Sequence, residues 1–162
     1  MVLAAMPIAD MSAAAAREHA MDARAFEEAE NKQIVDAAFT RWAAGGMGFF
    51  GEMLAPEAVW TIEGSGPSAG QFRGRDALLR AIQPFTQRLS RPVRPVSWRV
   101  WADGDHVIIH WVGEATAMDG GAYRNRYAWI FRMAGGQAVE ANAFLDLAAY
   151  DAVLRRIPLP TP

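Results

Sequence analysis

Tyrosine, asparagine and tryptophan alternate with arginine along the segment 123–133. Successive side chains of a β-strand point to opposite faces, so a strand here separates the two sets. One face carries Tyr123, Asn125, Tyr127, Trp129 and Phe131, and the other carries Arg124, Arg126, Ala128, Ile130 and Arg132. We expect the arginines to face water or a partner subunit, and the aromatic row to face inward.

The polar members of the aromatic row favour a ligand pocket. An unpaired buried amide costs about 1–3 kcal/mol, so Asn125 does not suit a dry core. Asn125 and Tyr127 together have the donors and acceptors to hold a substrate carbonyl or hydroxyl, with Tyr123 at the pocket rim. The alternative is a core face whose polar atoms pair with the backbone or with each other. Trp60, Trp111 and Trp129 lie on predicted strands, where large aromatic rings either line a cavity or fill a core.

Three further side chains are candidate acids or bases. Asp146 is a base if burial raises its pKa, and otherwise ties the last strand to a helix or loop. Glu63, beside Gly64, reaches the pocket mouth if that loop folds inward. His110 is a general base or an ordinary histidine on a strand surface. His106 and His110 are about 13 Å apart along one strand, so they cannot share a metal ion.

Composition excludes several classes of function. The chain has no cysteine, which rules out disulfides, cysteine nucleophiles and iron–sulfur clusters. A net charge of −2 without a Lys/Arg cluster argues against nucleic acid as a partner. No apolar run reaches the roughly 20 residues of a membrane helix, and no phosphate loop, nucleophile elbow or dinucleotide fingerprint is present. We therefore expect no metal, no cofactor and no membrane partner, and a cytoplasmic location.

The pattern of elements predicts an α+β fold, with helices first and a sheet afterwards. At 162 residues the chain is expected to form one domain over 26–155, with a helical or disordered lead-in at 1–25 and an extended tail at 156–162. The periodicity predicts helices over 17–44, 49–54 and 77–90, and strands over 58–62, 96–101, 107–116, 123–133 and 138–146. Glycine turns make the last four strands an antiparallel meander. A long sheet of this kind curls, and helices across its concave side enclose a cone with room for a pocket.

Four stretches and one glycine carry a resemblance to a known family. The stretches 59–64 and 70–78 resemble the front half of SnoaL-like proteins, and 123–131 with Gly136 and 144–146 resembles the back half. These proteins belong to the nuclear transport factor 2-like (NTF2-like), or ketosteroid isomerase-like, superfamily. The resemblance implies a cystatin-like roll, in which a cone-shaped, curved antiparallel sheet packs against about three N-terminal and central helices. It also implies a deep apolar pocket for a small molecule, and homodimers that pair through the sheet.

The catalytic residues of the resembled enzymes mostly have no counterpart here. Ile62 stands where ketosteroid isomerases carry their carboxylate base, which makes Ile62 a pocket-lining candidate, and Phe39 stands near the place of their helix tyrosine. Tyr127 falls near their second oxyanion donor and retains a hydroxyl. The paired arginine and aspartate of limonene epoxide hydrolases are replaced by Trp111 and Gly113.

The catalytic residues of SnoaL-type cyclases and scytalone dehydratases also mostly lack a counterpart in this sequence. Ala143 occupies the aspartate position that the cyclases use on the last strand. The dehydratases use histidines from the pocket wall, and His110 meets that description only if it points inward. Two functions stay open: an isomerase, cyclase, dehydratase or hydrolase that works by metal-free acid–base chemistry, and a non-catalytic ligand-binding or dimerisation domain.

Overall fold

The structure, a computed structural model, describes residues 8–159. The helices are α1 (Ile8–Ala43), α2 (Phe49–Met53), α3 (Arg75–Thr86) and α4 (Leu147–Arg156). The strands are β1 (Leu54–Ile62), β2 (Gly70–Arg73), β3 (Leu89–Asp103), β4 (His106–Ala117), β5 (Ala122–Ala134) and β6 (Gln137–Leu145). The α+β class expected from the sequence is confirmed.

All six strands join one curved sheet in the order β2-β1-β6-β5-β4-β3. Strands β3 to β6 form the predicted antiparallel meander, and β1 pairs with β6 in parallel. The turns within the meander contain Gly104, Gly120 and Gly135, whose φ values of 60°, 80° and 57° lie in the left-handed region. Glycine adopts this conformation without the Cβ clash that other residues meet, so these positions end each long strand and start the next.

Alternating burial along β5 defines the two faces of the sheet. Tyr123, Asn125, Tyr127, Trp129 and Phe131 are all buried, while the arginines between them are exposed or half-buried. The inner face therefore packs on the helices and holds the core, as the alternation in the sequence predicts. The outer face carries the arginine set.

Each helix is fixed to the sheet by particular contacts. In α1, Asp36 accepts a hydrogen bond of 2.8 Å from the indole N–H of Trp98 on β3. The guanidinium of Arg75, at the start of α3, donates to the carbonyl oxygens of Gly51 and Leu54. Helix α4 crosses the far end of the inner face and buries Tyr150 and other side chains there. The helices thus close the concave side of the sheet.

The largest difference from the sequence prediction is the length of β3. The prolines at 92 and 95 predict a connector, but β3 begins at Leu89 and includes both of them. This strand lies at the edge of the sheet, where a residue without an N–H donor is tolerated. The prediction of a strand beginning only at Val96 is therefore wrong.

Other boundaries also differ. Strand β2 and helix α4 were not predicted, and β1 begins at Leu54 rather than at Ala58. Helix α3 ends at Thr86 instead of Ser90, and α1 begins nine residues before Arg17, at Ile8. Of the expected lead-in, 8–25 is helical, and 1–7 lies outside the described residues, as do 160–162 of the expected tail.

Candidate functional site

A cavity of about 430 Å³ lies between the inner face of the sheet and the helices. Its sheet wall includes Trp60, Ile62, Trp111, Tyr127, Trp129, Ala143 and Leu145. Helices α2, α3 and α4 supply mostly aliphatic and aromatic side chains, among them Phe49, Phe50, Leu78, Ile82, Phe85, Leu147 and Tyr150. The size and the apolar lining are typical of sites that bind small molecules.

Aromatic rings make the sheet wall rigid. Trp129 packs edge-to-face against Trp60, with ring centroids 5.0 Å apart, and against Trp111, at 4.8 Å. The indole of Trp111 stacks on the ring of Tyr127. The ring of Phe39 on α1 packs against Trp111 and Trp129. Aromatic pairs of this geometry contribute about 0.5–1.5 kcal/mol each beyond the area they bury, so the wall is firmly held.

A chain of hydrogen bonds runs through the polar members of β5. The side-chain nitrogen of Asn125 donates to the hydroxyl of Tyr123 at 2.8 Å and to the carbonyl of Asp146 at 2.9 Å. Its side-chain oxygen accepts from the backbone N–H of Asp146 at 3.0 Å, which fixes the orientation of the amide. The hydroxyls of Tyr123 and Tyr127 are 2.8 Å apart.

Counting donors indicates how the hydrogens of this chain are best satisfied. Each hydroxyl has one hydrogen to donate, and a buried donor without an acceptor costs about 1–3 kcal/mol. The contact between the two hydroxyls uses one of their two hydrogens, and no unpaired donor remains behind the wall when Tyr123 is the donor and Tyr127 the acceptor. The hydrogen of Tyr127 is then left over, and Tyr127 is the member of the chain that lines the cavity. The network therefore leaves a donor at the sheet wall.

Burial keeps these tyrosines protonated. Desolvation raises the pKa of Tyr123 above its ordinary value, although the hydrogen bonds with Tyr127 and Asn125 act in the opposite direction. Desolvation, with a smaller contribution from Tyr123, holds the pKa of Tyr127 well above the ordinary value. The hydroxyl of Tyr127 is therefore a neutral hydrogen-bond donor at physiological pH, and not a base.

The ligand-binding candidates from the sequence separate into two groups. Trp60, Ile62, Trp111 and Trp129 line the cavity, together with Tyr127. Tyr123 and Asn125 do not line it, and instead form the hydrogen-bonded support behind Tyr127. The indole N–H of Trp111 has no acceptor among the described residues.

The three acid–base candidates lie away from the cavity. Asp146 is exposed and caps α4, its carboxylate accepting from the backbone N–H of Ala149 at 3.1 Å. Glu63 accepts a 2.6 Å hydrogen bond from Asn142, whose exposed side chain lies on the outer face of the sheet. His110 is also exposed on the outer face, because the strand alternation places its neighbour Trp111 inside. None of the three lines the cavity, so an acid–base role for any of them stays a hypothesis without a contact there.

The structure also shows site residues that the sequence prediction missed. Ser68, in the loop between β1 and β2, lines the cavity, and its hydroxyl donates to the buried carboxylate of Asp151 on α4. Leu147 and Tyr150 of the same helix line the cavity as well. Helix α4 could be predicted from the sequence, because Asp146 is a typical helix-capping residue and helix formers follow it over 147–156. No feature of the sequence places Ser68 beside it.

Three further observations concern metal binding, membrane-spanning helices and the side chains of the cavity. Within 8–159, no group of three His, Asp or Glu side chains is arranged to hold a metal ion. The helices in this range include none that is long and apolar enough to cross a membrane. The side chains that line the cavity include serine, threonine, arginine and tyrosine, but no Asp, Glu or His.

Comparison with known proteins places the chain in a family. The model of the SnoaL-like domain matches residues 35–141, which is well over half of the sequence. The chain belongs to the SnoaL-like family. The matched range of this SnoaL-like domain extends from the second half of α1 into β6 and so includes most of the cavity wall. No curated protein matches the sequence.

Solved structures similar to this SnoaL-like domain share its fold at low sequence identity. Bal32a from a soil-derived mobile gene cassette is 21% identical, with a TM-score of 0.66 over 80% of this chain and 99% of that one. A proposed SnoaL-like polyketide cyclase from Jannaschia sp. CCS1 is 19% identical, with a TM-score of 0.63 over 82% and 96%. A proposed isomerase from Bacillus subtilis is 15% identical, with a TM-score of 0.64 over 82% and 99%. At these identities the likeness establishes the fold alone.

Proposed function

We propose that the cavity binds an apolar small molecule and that the hydroxyl of Tyr127 donates a hydrogen bond to an oxygen of that molecule. The proposal rests on the hydrogen-bonded chain from Asn125 through Tyr123 to Tyr127, because the two hydroxyls have one hydrogen more than their mutual contact uses and Tyr127 is the one that lines the cavity. A carbonyl oxygen bound there completes the chain. The remaining wall is almost entirely apolar, which favours a ligand with few other polar groups.

The experiment uses 2-acetylnaphthalene as a flat apolar ketone, with binding measured by isothermal titration calorimetry. We expect wild type to bind it and Tyr127→Phe to bind it about fivefold to tenfold more weakly, since one neutral hydrogen bond contributes about 1 kcal/mol. Tyr150→Phe is the matched comparison, because Tyr150 also lines the cavity. A loss of affinity in Tyr150→Phe alone would assign the donor to Tyr150 instead.

A second candidate function is catalysis of proton transfer. A tyrosine held by a second tyrosine and an amide can stabilise an oxyanion as it develops on a carbonyl substrate, and one such donor supplies about 3–4 kcal/mol to a transition state. The names of the cyclase and isomerase neighbours are consistent with this candidate. The lining has no carboxylate or imidazole, however, so a mechanism that needs such a base on the wall has no group to supply it.

The outer face of the sheet supports a separate proposal about assembly. Trp101, Ile108 and Phe144 are exposed there by 43%, 38% and 45%, and the cross-strand register places Trp101, Ile108 and Ile130 side by side. Arginines and glutamates surround these apolar side chains, including the ion pairs Arg124–Glu114 and Arg132–Glu140. An apolar patch rimmed by both signs of charge suits a second copy of itself, so we propose a homodimer that pairs through the sheet.

A further inference from the structure

Asp151 is a buried carboxylate on α4. Only 6% of the surface of Asp151 is exposed to solvent. Among the described residues, its carboxylate takes part in no ion pair. Aspartate is almost never buried to this extent without a partner, because removing a charge from water is costly. A buried carboxylate without an ion pair depends on its hydrogen bonds, so the group that donates to Asp151 indicates what the carboxylate does.

The partner of Asp151 is a serine in the cavity wall. The hydroxyl of Ser68 donates to Oδ1 of Asp151 at 2.5 Å. Ser68 lines the cavity, and Asp151 does not. The loop that carries Ser68 packs closely on α4, because a Cβ added to Gly66 would lie 3.5 Å from Oδ2 of Asp151. The carboxylate therefore acts on the cavity only through the serine.

The hydrogen-bond capacity of Ser68 determines which ligand groups it can contact. A serine hydroxyl has one hydrogen and two lone pairs. Ser68 donates its hydrogen to Asp151, so towards a ligand its hydroxyl oxygen can only accept a hydrogen bond. A hydrogen bond to a carboxylate also polarises the hydroxyl and strengthens it as an acceptor. In this respect Ser68 is the opposite of Tyr127, which has a hydrogen to donate.

We propose that Ser68, held by Asp151, forms a hydrogen-bond-accepting subsite that selects apolar ligands bearing a hydroxyl or N–H group. Ser68 is the contacting residue, and Asp151 is a positioning residue that sets the direction of the serine hydrogen. This subsite rests on the proposed function, because it requires that the cavity binds a small molecule. It extends that function, because it requires that the ligand also carry a hydrogen-bond donor.

The test compares 2-naphthol with 2-methoxynaphthalene by isothermal titration calorimetry at neutral pH. Both probes carry an oxygen acceptor, and only 2-naphthol carries a hydrogen to donate. We expect wild type to bind 2-naphthol about tenfold more tightly, and Ser68→Ala to bind the two probes equally. Ser65→Ala is the matched control, since Ser65 is exposed on the same loop and does not line the cavity. It should retain the wild-type ratio.

A second variant separates the role of Asp151 from a loss of folding. Asp151→Asn keeps the shape of the side chain and removes its charge, and we expect it to reduce the preference for 2-naphthol while binding of 2-methoxynaphthalene is unchanged. Circular dichroism confirms that each variant is folded. If Ser68→Ala fails to fold, the Asp151→Asn ratio decides the question alone.

Three results would overturn the subsite. Equal binding of the two probes by wild type shows that no acceptor selects the hydroxyl. A preference that survives in folded Ser68→Ala, or that is lost in Tyr127→Phe or Tyr150→Phe instead, assigns the selection to another group. In both cases the proposed function stands, because the probes bind. If neither these probes nor 2-acetylnaphthalene binds wild type, the proposed function fails and the subsite fails with it.

Discussion

The indole ring of Trp111 lies nearly parallel to the phenol ring of Tyr127, with centroids 3.9 Å apart and an angle of 11° between the planes. The two residues are direct cross-strand partners on β4 and β5. Gly113 lies beside both rings, since a Cβ there would be 2.7 Å from Cζ3 of Trp111 and 3.1 Å from Cε2 of Tyr127. The stack thus depends on the absence of a side chain at 113.

Gly113→Ala should therefore destabilise the fold. The added methyl also comes within 2.9 Å of Cγ1 of Val93, so three neighbours must move. Overpacking of this kind costs about 1–3 kcal/mol, measured as a lower free energy of unfolding in urea. Gly51→Ala is the control, because the space around Gly51 is open and the residue lies in helix α2. We expect this variant to be unchanged or slightly more stable, and similar losses in both would contradict the packing argument.

The hydroxyls of Tyr123 and Tyr127 should show energetic coupling. Each single Tyr→Phe substitution leaves its partner with an unfulfilled hydrogen bond, so each should lower the free energy of unfolding by about 1 kcal/mol. The double variant removes both groups and should cost less than the sum of the singles, by about 0.5 kcal/mol or more. Strict additivity in this double-mutant cycle would show that the 2.8 Å contact contributes no stability.

All three tyrosines of the chain should resist ionisation while the protein is folded. Burial is the largest cause that raises the pKa of Tyr123, Tyr127 and Tyr150 above the ordinary value of 10.0. Unfolded tyrosines ionise near pH 10, whereas the folded ones keep their protons. The stability from these groups is therefore fully present below about pH 10 and decreases as the pH rises above it.

Spectrophotometric titration measures this directly. We expect tyrosinate absorbance to appear in one step that coincides with unfolding, followed in parallel by circular dichroism. A tyrosine that ionises near pH 10 in the folded protein would show that one of the three rings is accessible to solvent.

Asp146 should behave as a helix cap. Asp146→Ala removes the acceptor for the backbone N–H of Ala149 and should lower the free energy of unfolding by about 1 kcal/mol. Asp146→Asn retains a good capping side chain and should be close to wild type in the same denaturation experiment. If Asp146 instead acts on a bound molecule, both variants will lose that function equally while the asparagine variant keeps its stability.

The apolar patch on the outer sheet face makes the oligomeric state testable. Phe144→Asp places a charge in the proposed interface and should shift the protein toward monomer in sedimentation equilibrium. Met118→Asp is the matched control, because Met118 is 60% exposed in the turn between β4 and β5, away from that face. A wild-type protein that is monomeric at all concentrations would refute the homodimer.

Local patterns in the sequence predict the class of fold and the side chains of β5 that face inward. Strict alternation from Tyr123 to Phe131 fixes which side chains face inward, because the two faces of a strand are set by local geometry. Glycine pairs and polar turns fix the meander for the same reason: they act over a few residues. Of the stretches that carry the resemblance, 59–64, 70–78 and 123–131 lie within the family match over 35–141, and 144–146 lies beyond it.

Which polar groups contact each other depends on the packing of distant elements. Asp146 is a cap because α4 begins beside it, and His110 lies outside because its strand carries Trp111 inward. Ser68 and Asp151 are 83 positions apart in the chain, so no local pattern links a loop serine to a helix carboxylate. Their contact depends on how the loop after β1 packs on the last helix, and such long-range packing is established only when the whole chain folds.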